Sequence, residues 1–288
     1  MTPMIGRIKG HFNFQTIYWE CTHSFCSQIG NPFSLLLLLF PILSYSQTLS
    51  GTSIVIAWSD STIVIGADSK VTDTDDPTFS ALTCKIIVID DTTVFVHSGI
   101  LADSGGFNIQ SSFRRFMRSS GNVDQRLERF KDSVVRELTD IRLRDMERKR
   151  EGSKMVKLLD QTVCVVIFIS ADSLRMKRIA FTATSTPSTP EGLFVYGRVY
   201  DPIRIDGSIQ PTPFLMPLGY KEMTRSFQDS ILSRNIVLSP VDFPRIVYSL
   251  ITMEMILHPH EVGQPIDIIR LTRGKRPEWI RQEKEPCK

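Results

Sequence analysis

The chain has 288 residues, 42% hydrophobic and 23% charged, with a formal net charge of +3. That composition is globular and excludes low-complexity and disordered classes. A charge this small, with no extended basic stripe, gives no footprint for nucleic acid, and the five scattered cysteines form neither a metal-ligand spacing nor a disulfide framework.

From the N-terminus, Phe33 to Ile42 reads FSLLLLLFPI and is followed by LSYSQ, with small residues at Ser44 and Ser46. This is the pattern of a secretory h-region with a cleavage site after Ser46, and the run is too short for a stable membrane span. Residues 1–46 are therefore expected to be a signal-peptide-like or propeptide segment, and residues 47–51 a short propeptide. Residues 52–288 are expected to be one domain. If the 33–46 segment is a signal peptide, the protein is exported to the periplasm or outside the cell; otherwise it is cytoplasmic.

Thr52–Ala57 and Thr62–Ala67 are two β-branched runs around WSDS, the sign of a hairpin. The second is apolar on successive residues, which requires both faces to be buried. VTDTDDPTFSALT reads as a loop, and Lys85–Ile89 and Thr93–Ser98 as a second strand pair. The period then changes to helical over Leu101–Arg118 and Val123–Glu151, the latter with Leu127, Phe130, Val134, Leu138 and Ile141 on one face. The basic run from Arg142 to Lys157 reads as a solvated helix end, and Cys84 and Cys164 as small core residues.

Gln161–Ser170 and Met176–Thr182 return to strands. Residues 183–217 read as loop with short strands near Phe194–Tyr200, and Gly219–Arg234 as a helix. Ser239-Pro240 has the form of a helix start, with Ser as N-cap and Pro in the first turn. That helix runs to Leu257, where His258 at the negative end has a stabilising role. PIDIIRLT is the last long strand and PEWI a short partner. Four strands, two helices, two strands, two helices and two strands fit an α+β fold, a four-layer αββα sandwich of two antiparallel sheets between helix pairs.

The chemistry lies in LSGTSIVIAWSDSTIVIGADSK, Leu49 to Lys70. Were the chain cut after Gly51, Thr52 would carry a free amine beside its hydroxyl, so one residue would hold both nucleophile and base. The small Gly51 lets that hydroxyl reach the preceding carbonyl. A cation near the amine would lower its pKa, and Lys85 is the candidate. A buried lysine needs a counter-charge, and Asp68 at the end of a doubly buried strand would serve. Gly99, closing VFVHSG, suits the backbone N–H that receives a developing oxyanion.

In the order and spacing of GTS, GADSK, Lys85 and Ser98-Gly99, the chain resembles the catalytic β subunits of the 20S proteasome and, more broadly, N-terminal nucleophile hydrolases. Asp68 lies 16 residues after Thr52, and Lys85 lies 33 after it, one more than the family's usual gap. GILAD at Gly99–Asp103 and EVGQPIDIIRLT at Glu261–Thr272 also resemble family segments. The resemblance covers roughly residues 51–281. It implies the αββα sandwich, Thr52 as nucleophile and amine base, Asp68 and Lys85 as its partners, and Gly99 as the oxyanion donor.

The sequence departs from the family at two supports. Where the family has Asp-x-x-Ser-Gly, HPHEVGQ offers His258 or Pro259 and then Val262. Where it has a Gly-Ser-Gly turn, PLGYKE offers Gly219 and Tyr220.

The expected function is threonine-type hydrolysis of amide bonds by an endopeptidase acting on peptide or protein substrates. The alternatives are a catalytically inactive proteasome-like subunit with an assembly or binding role, and a small-molecule amidase of the same fold. A homo-oligomeric ring is implied by the resemblance alone. No cofactor, resident metal or nucleic-acid partner is expected.

Overall fold

The computed structural model describes residues 48–50, 52–73, 80–103, 105–147, 162–186, 189–202, 204–205, 208–209, 214–234 and 236–282. All of them fall in the compact unit Ser46–Lys288. The signal-peptide-like segment, Gln47, Gly51 and the tip of the loop after Asp73 lie outside the described residues.

The strands before the first helix are β1 (Thr48–Ser50), β2 (Ser53–Trp58), β3 (Thr62–Asp68), β4 (Lys70–Asp73), β5 (Ser80–Leu82), β6 (Ile86–Asp90), β7 (Thr93–Ser98) and β8 (Ala102–Asp103). Helices α1 (Ile109–Met117) and α2 (Val123–Glu147) follow, then β9 (Val163–Ile169), β10 (Leu174–Thr186), β11 (Thr189–Tyr200), the short pair β12 (Arg204–Ile205) and β13 (Ser208–Ile209), and β14 (Phe214–Gly219). The chain continues through α3 (Glu222–Ser233), α4 (Phe243–Leu257), β15 (Ile266–Thr272) and β16 (Glu278–Arg281).

Two five-stranded sheets, ordered β14-β2-β3-β15-β16 and β11-β10-β9-β7-β6, carry the architecture. Each neighbouring pair is antiparallel. The alternation of strand side chains explains the layering. In β2, Ile54, Ile56 and Trp58 pack inward against Val94, Val96, Val165 and Ile167 of the other sheet. Val55 and Ala57 point the opposite way, onto Phe243, Val247, Leu250 and Ile251 of α4.

On the far side, the second sheet packs Phe95, Val166 and Phe181 against α1 and the Leu127, Phe130, Val134, Leu138 and Ile141 stripe of α2. Three apolar layers between four layers of backbone make an αββα sandwich. The Phe95–Phe113 ring stack at 4.0 Å and the edge-on Phe130 at 5.2 Å from Phe113 fix the α1–α2 layer. Truncating one of these rings to Ala would cost about 3–5 kcal/mol.

Several local expectations change. Leu101–Arg118 is not one helix: β8 and a loop with Gly106 at φ +95° precede α1, whose N-cap Asn108 accepts from the Ser111 N–H. Residues 183–217 are largely paired, because β10 and β11 form a long hairpin and β14 joins the edge of the first sheet. The next helix starts at Glu222, since Gly219 ends β14 at φ +75°.

Ser239-Pro240 makes a turn, closed by the Asp242 N–H on the Ser239 carbonyl at 2.9 Å, and α4 begins only at Phe243. Arg142 is buried rather than solvated, and Arg144 pairs with Asp103 of β8. Cys164 is a free, buried core residue, whereas Cys84 is half-buried and disulfide-bonded. Among the described residues, no helix is long and apolar enough to cross a membrane.

Candidate active site

Thr52 sits at the entry to β2, 3% exposed, where the strand emerges from the sandwich. Its carbonyl accepts the Tyr220 N–H at 3.0 Å. A Cβ on Gly219 would stand 2.2 Å from that carbonyl oxygen, so only glycine lets the end of β14 close over it. The PLGYKE segment thus holds Thr52 through backbone contacts.

Asp68 ends β3 and is fully buried. Its Oδ1 accepts the N–H of Ser53, the residue joined to Thr52, at 2.7 Å, and the Lys85 ammonium at 2.8 Å. Its Oδ2 accepts the Lys70 N–H at 3.2 Å and the Gly263 N–H at 3.2 Å. Four donors on one carboxylate offset its desolvation. Gly263 belongs to HPHEVGQ, so that segment delivers a backbone donor to the carboxylate. The neighbouring Lys70 clamps this segment by donating from Nζ to the Pro259 carbonyl at 2.8 Å.

Lys85 is 2% exposed and its Nζ also donates to the Lys70 carbonyl at 2.6 Å. Burial lowers its pKa, opposed by the charge of Asp68 and the hydrogen bond to it. Behind it lies His97, also 2% exposed. Burial and the Lys85 charge push the His97 pKa down to about 3, so the ring is neutral at ordinary pH. Gln110 Nε2 lies 2.9 Å from His97 Nε2 and donates to the Cys84 carbonyl at 2.5 Å. This packing fixes the wall on Lys85's far side and fits the reading of His97 as a core histidine.

Gly99 follows β7 at φ +81°, and a Cβ there would stand 2.4 Å from the Cα and Oγ1 of Thr162. Thr162 Oγ1 accepts the Ile100 N–H at 3.0 Å, which holds the turn. The position is glycine-only for both reasons.

The structure therefore gathers Ser53, Lys70, Lys85 and Gly263 around the Asp68 carboxylate, with Thr52 bonded to Ser53. Gly99 lies at the end of the next sheet's strand. The site residues missed from sequence are Lys70, Tyr220, Gly263 and Thr162. Three of the four act through the backbone N–H or C=O, which every residue type but proline supplies in full, so no residue type marks them.

The strand ahead of Thr52 also has a defined place. β1 runs antiparallel between β4 and β8, with Leu49 opposite Asp73 and Ala102, Ser50 opposite Thr72, and Thr48 opposite Asp103. Asp103 is fixed by Arg144 of α2 and by the Phe107 N–H at 2.8 Å.

The fold and this edge define an αββα sandwich in which a buried lysine–aspartate pair bonds the N–H of the residue after Thr52. No family model matches the sequence, and no curated protein matches it. Among solved structures the chain is similar in fold to an Anbu (Gly-1) mutant from Hyphomicrobium sp. strain MC1. That likeness has 16% identity and a TM-score of 0.48, and covers 82% of this chain and 90% of that one.

Proposed function

We propose that the protein is a threonine-type hydrolase of amide bonds, an endopeptidase whose nucleophile Thr52 is freed by self-cleavage after Gly51. The observation that carries this reading is the shared Asp68 oxygen, which ties the Lys85 ammonium to the residue following Thr52. With the amine of Thr52 free, its hydroxyl proton passes to that amine as Oγ attacks the substrate carbonyl. The Lys85 charge keeps the amine's pKa low enough for it to accept the proton. The Gly99 N–H receives the oxyanion. Collapse expels the new amine of the leaving fragment, protonated from the Thr52 amine. Water then hydrolyses the Thr52 ester.

β1 supports the choice of a peptide substrate. The channel between β4 and β8 accepts an extended strand on both edges, and cleavage after Gly51 would release it to take another by strand addition. A small-molecule amidase has no use for two facing backbone edges. A homo-oligomeric ring belongs to the same proposal, and exposed Leu232 of α3, Ile256 of α4, and Val237 and Val241 in the segment between the two helices offer apolar surface for it.

A second reading, an inactive proteasome-like subunit, draws on the paired state of β1: a segment bonded on both sides can stay where it is. Incubating the purified full chain with a peptide library separates the two readings. Cleavage that is lost in Thr52→Ala and kept in Thr52→Ser supports the hydrolase. No cleavage by the parent chain favours the inactive subunit.

A further inference from the structure

One cluster on the helical face of the first sheet serves no purpose in the chemistry above. Glu254, one turn before the end of α4, is fully buried. Its Oε1 accepts the Met223 N–H of α3 at 2.9 Å, while its Oε2 has no hydrogen-bond partner. That oxygen faces His258 Nε2 at 3.9 Å, and the same nitrogen lies 3.2 Å from Glu222 Oε2. The three atoms all lie within 4.8 Å of one another.

His258 Nε2 and Glu222 Oε2 are within hydrogen-bond distance, but Glu254 Oε2 beside them is buried and unpaired, and a cation held by all three atoms would satisfy it. Bonds of about 2.0–2.2 Å from one metal to such ligands put neighbouring ligand atoms roughly 3.3 Å apart in a tetrahedron. The 3.2 Å spacing matches that, and the 3.9 Å spacing is wider by about 0.6 Å, which a small swing of Glu222 and His258 toward Glu254 would close. Glu222 is exposed, with its Oε2 also accepting the Lys221 N–H at 3.2 Å, whereas Glu254 and His258 are held more firmly. The His258 N–H bonds the Glu254 carbonyl at 2.8 Å, and its ring packs on Tyr220 with centroids 4.3 Å apart.

We propose that Glu222, Glu254 and His258 bind one divalent cation of the zinc class, with the remaining coordination positions open to water. The cation ties the first turn of α3 to the last turn of α4. Tyr220 stacks on His258 and donates its N–H to the Thr52 carbonyl, so a cation that fixes His258 also braces the segment holding Thr52. Its role is structural, and no bond to substrate is involved.

The test is titration of the full chain, treated with a chelator and desalted, with Co2+ followed by Zn2+ in competition. The proposal expects one equivalent of Co2+, visible d–d bands of nitrogen and oxygen ligands, no thiolate charge-transfer band, and a rise in thermal midpoint on Zn2+ addition. Glu222→Gln and His258→Gln should each weaken Co2+ binding at least tenfold. The exposed Glu222 position serves as the variant least able to disturb folding. Thr52→Ala should bind as the parent does, so failure of the hydrolase reading leaves this site standing. A thiolate band, undiminished binding in both variants, or no binding at millimolar Co2+ would overturn it.

Discussion

The Lys85 ammonium donates to Asp68 Oδ1 at 2.8 Å, and both side chains are almost wholly shielded from water. The Ser53 N–H shares that oxygen at 2.7 Å, so the charge of Lys85 is registered against the backbone that carries Thr52. A buried pair of this kind is weak evidence for stability, because hydrophobic replacement of both partners is often neutral. The proposed function uses this pair because its shared oxygen holds the backbone directly after Thr52.

Lys85→Ala should abolish self-processing and peptide hydrolysis together. It leaves Asp68 buried without its cation, a loss on the order of 3–5 kcal/mol. Equilibrium urea unfolding and a peptide assay on one preparation check both halves. Hydrolysis at the parental rate would remove Lys85 from the site.

Thr52→Ala should keep residues 47–51 attached and eliminate amide hydrolysis, whereas Thr52→Ser retains measurable activity. Serine loses only the methyl that stiffens χ1. Ser53→Ala is the control: its hydroxyl is buried with no hydrogen-bond partner, so its removal should leave stability unchanged or raised and leave activity intact. The opposite pattern, with Ser53→Ala inactive and Thr52→Ala active, would move the nucleophile by one residue.

Gly99→Ala should destabilise more than Gly106→Ala. Both have positive φ, at +81° and +95°, and each alanine costs about 1–3 kcal/mol for that conformation. Only at Gly99 would the new Cβ also strike the Thr162 backbone, whereas around Gly106 there is open space. The difference in urea midpoint is the readout. Equal shifts would mean that the Gly99 turn yields without cost.

The layered architecture was legible wherever the pattern of burial was carried by side chains. The unbroken apolar run of β3 gave its two buried faces, and the Leu127-to-Ile141 stripe gave α2 its packing side. The expectation failed where backbone settings decide. Two glycines and Asn108 delay α1, and the hairpin β10–β11 forms through a stretch whose Pro, Ser and Thr content reads as loop. At the candidate site, the pairing of Lys85 with Asp68 was legible from the sequence, and the roles of Thr52 and Gly99 belong to the proposed function. Lys70 and Gly263 were not legible, because their contribution is an N–H aimed at Asp68, and aim depends on chain path.

His97 gives the protein a pH signature. Its folded-state pKa is depressed to about 3 against about 6.5 unfolded. A depressed base is neutral in the fold while the unfolded chain takes up a proton, so the stabilisation is full above pH 6.5 and is lost as pH falls toward 3. The slope is about 1.4 kcal/mol per pH unit in that window. Urea unfolding at pH 7 and pH 5 should show the loss in the parent and a flatter profile in His97→Gln. Identical profiles would show that His97 takes up its proton as readily in the fold as in the unfolded chain.

The central claim, that Thr52 becomes an N-terminal nucleophile, is tested most directly by the intact mass and N-terminal residue of the mature protein. The predicted result is a chain that begins at Thr52, with a Thr52→Ala chain that begins upstream of it. A mature parent chain that begins at Gln47, with no species beginning at Thr52, would contradict the claim, because the amine that serves as base would never exist.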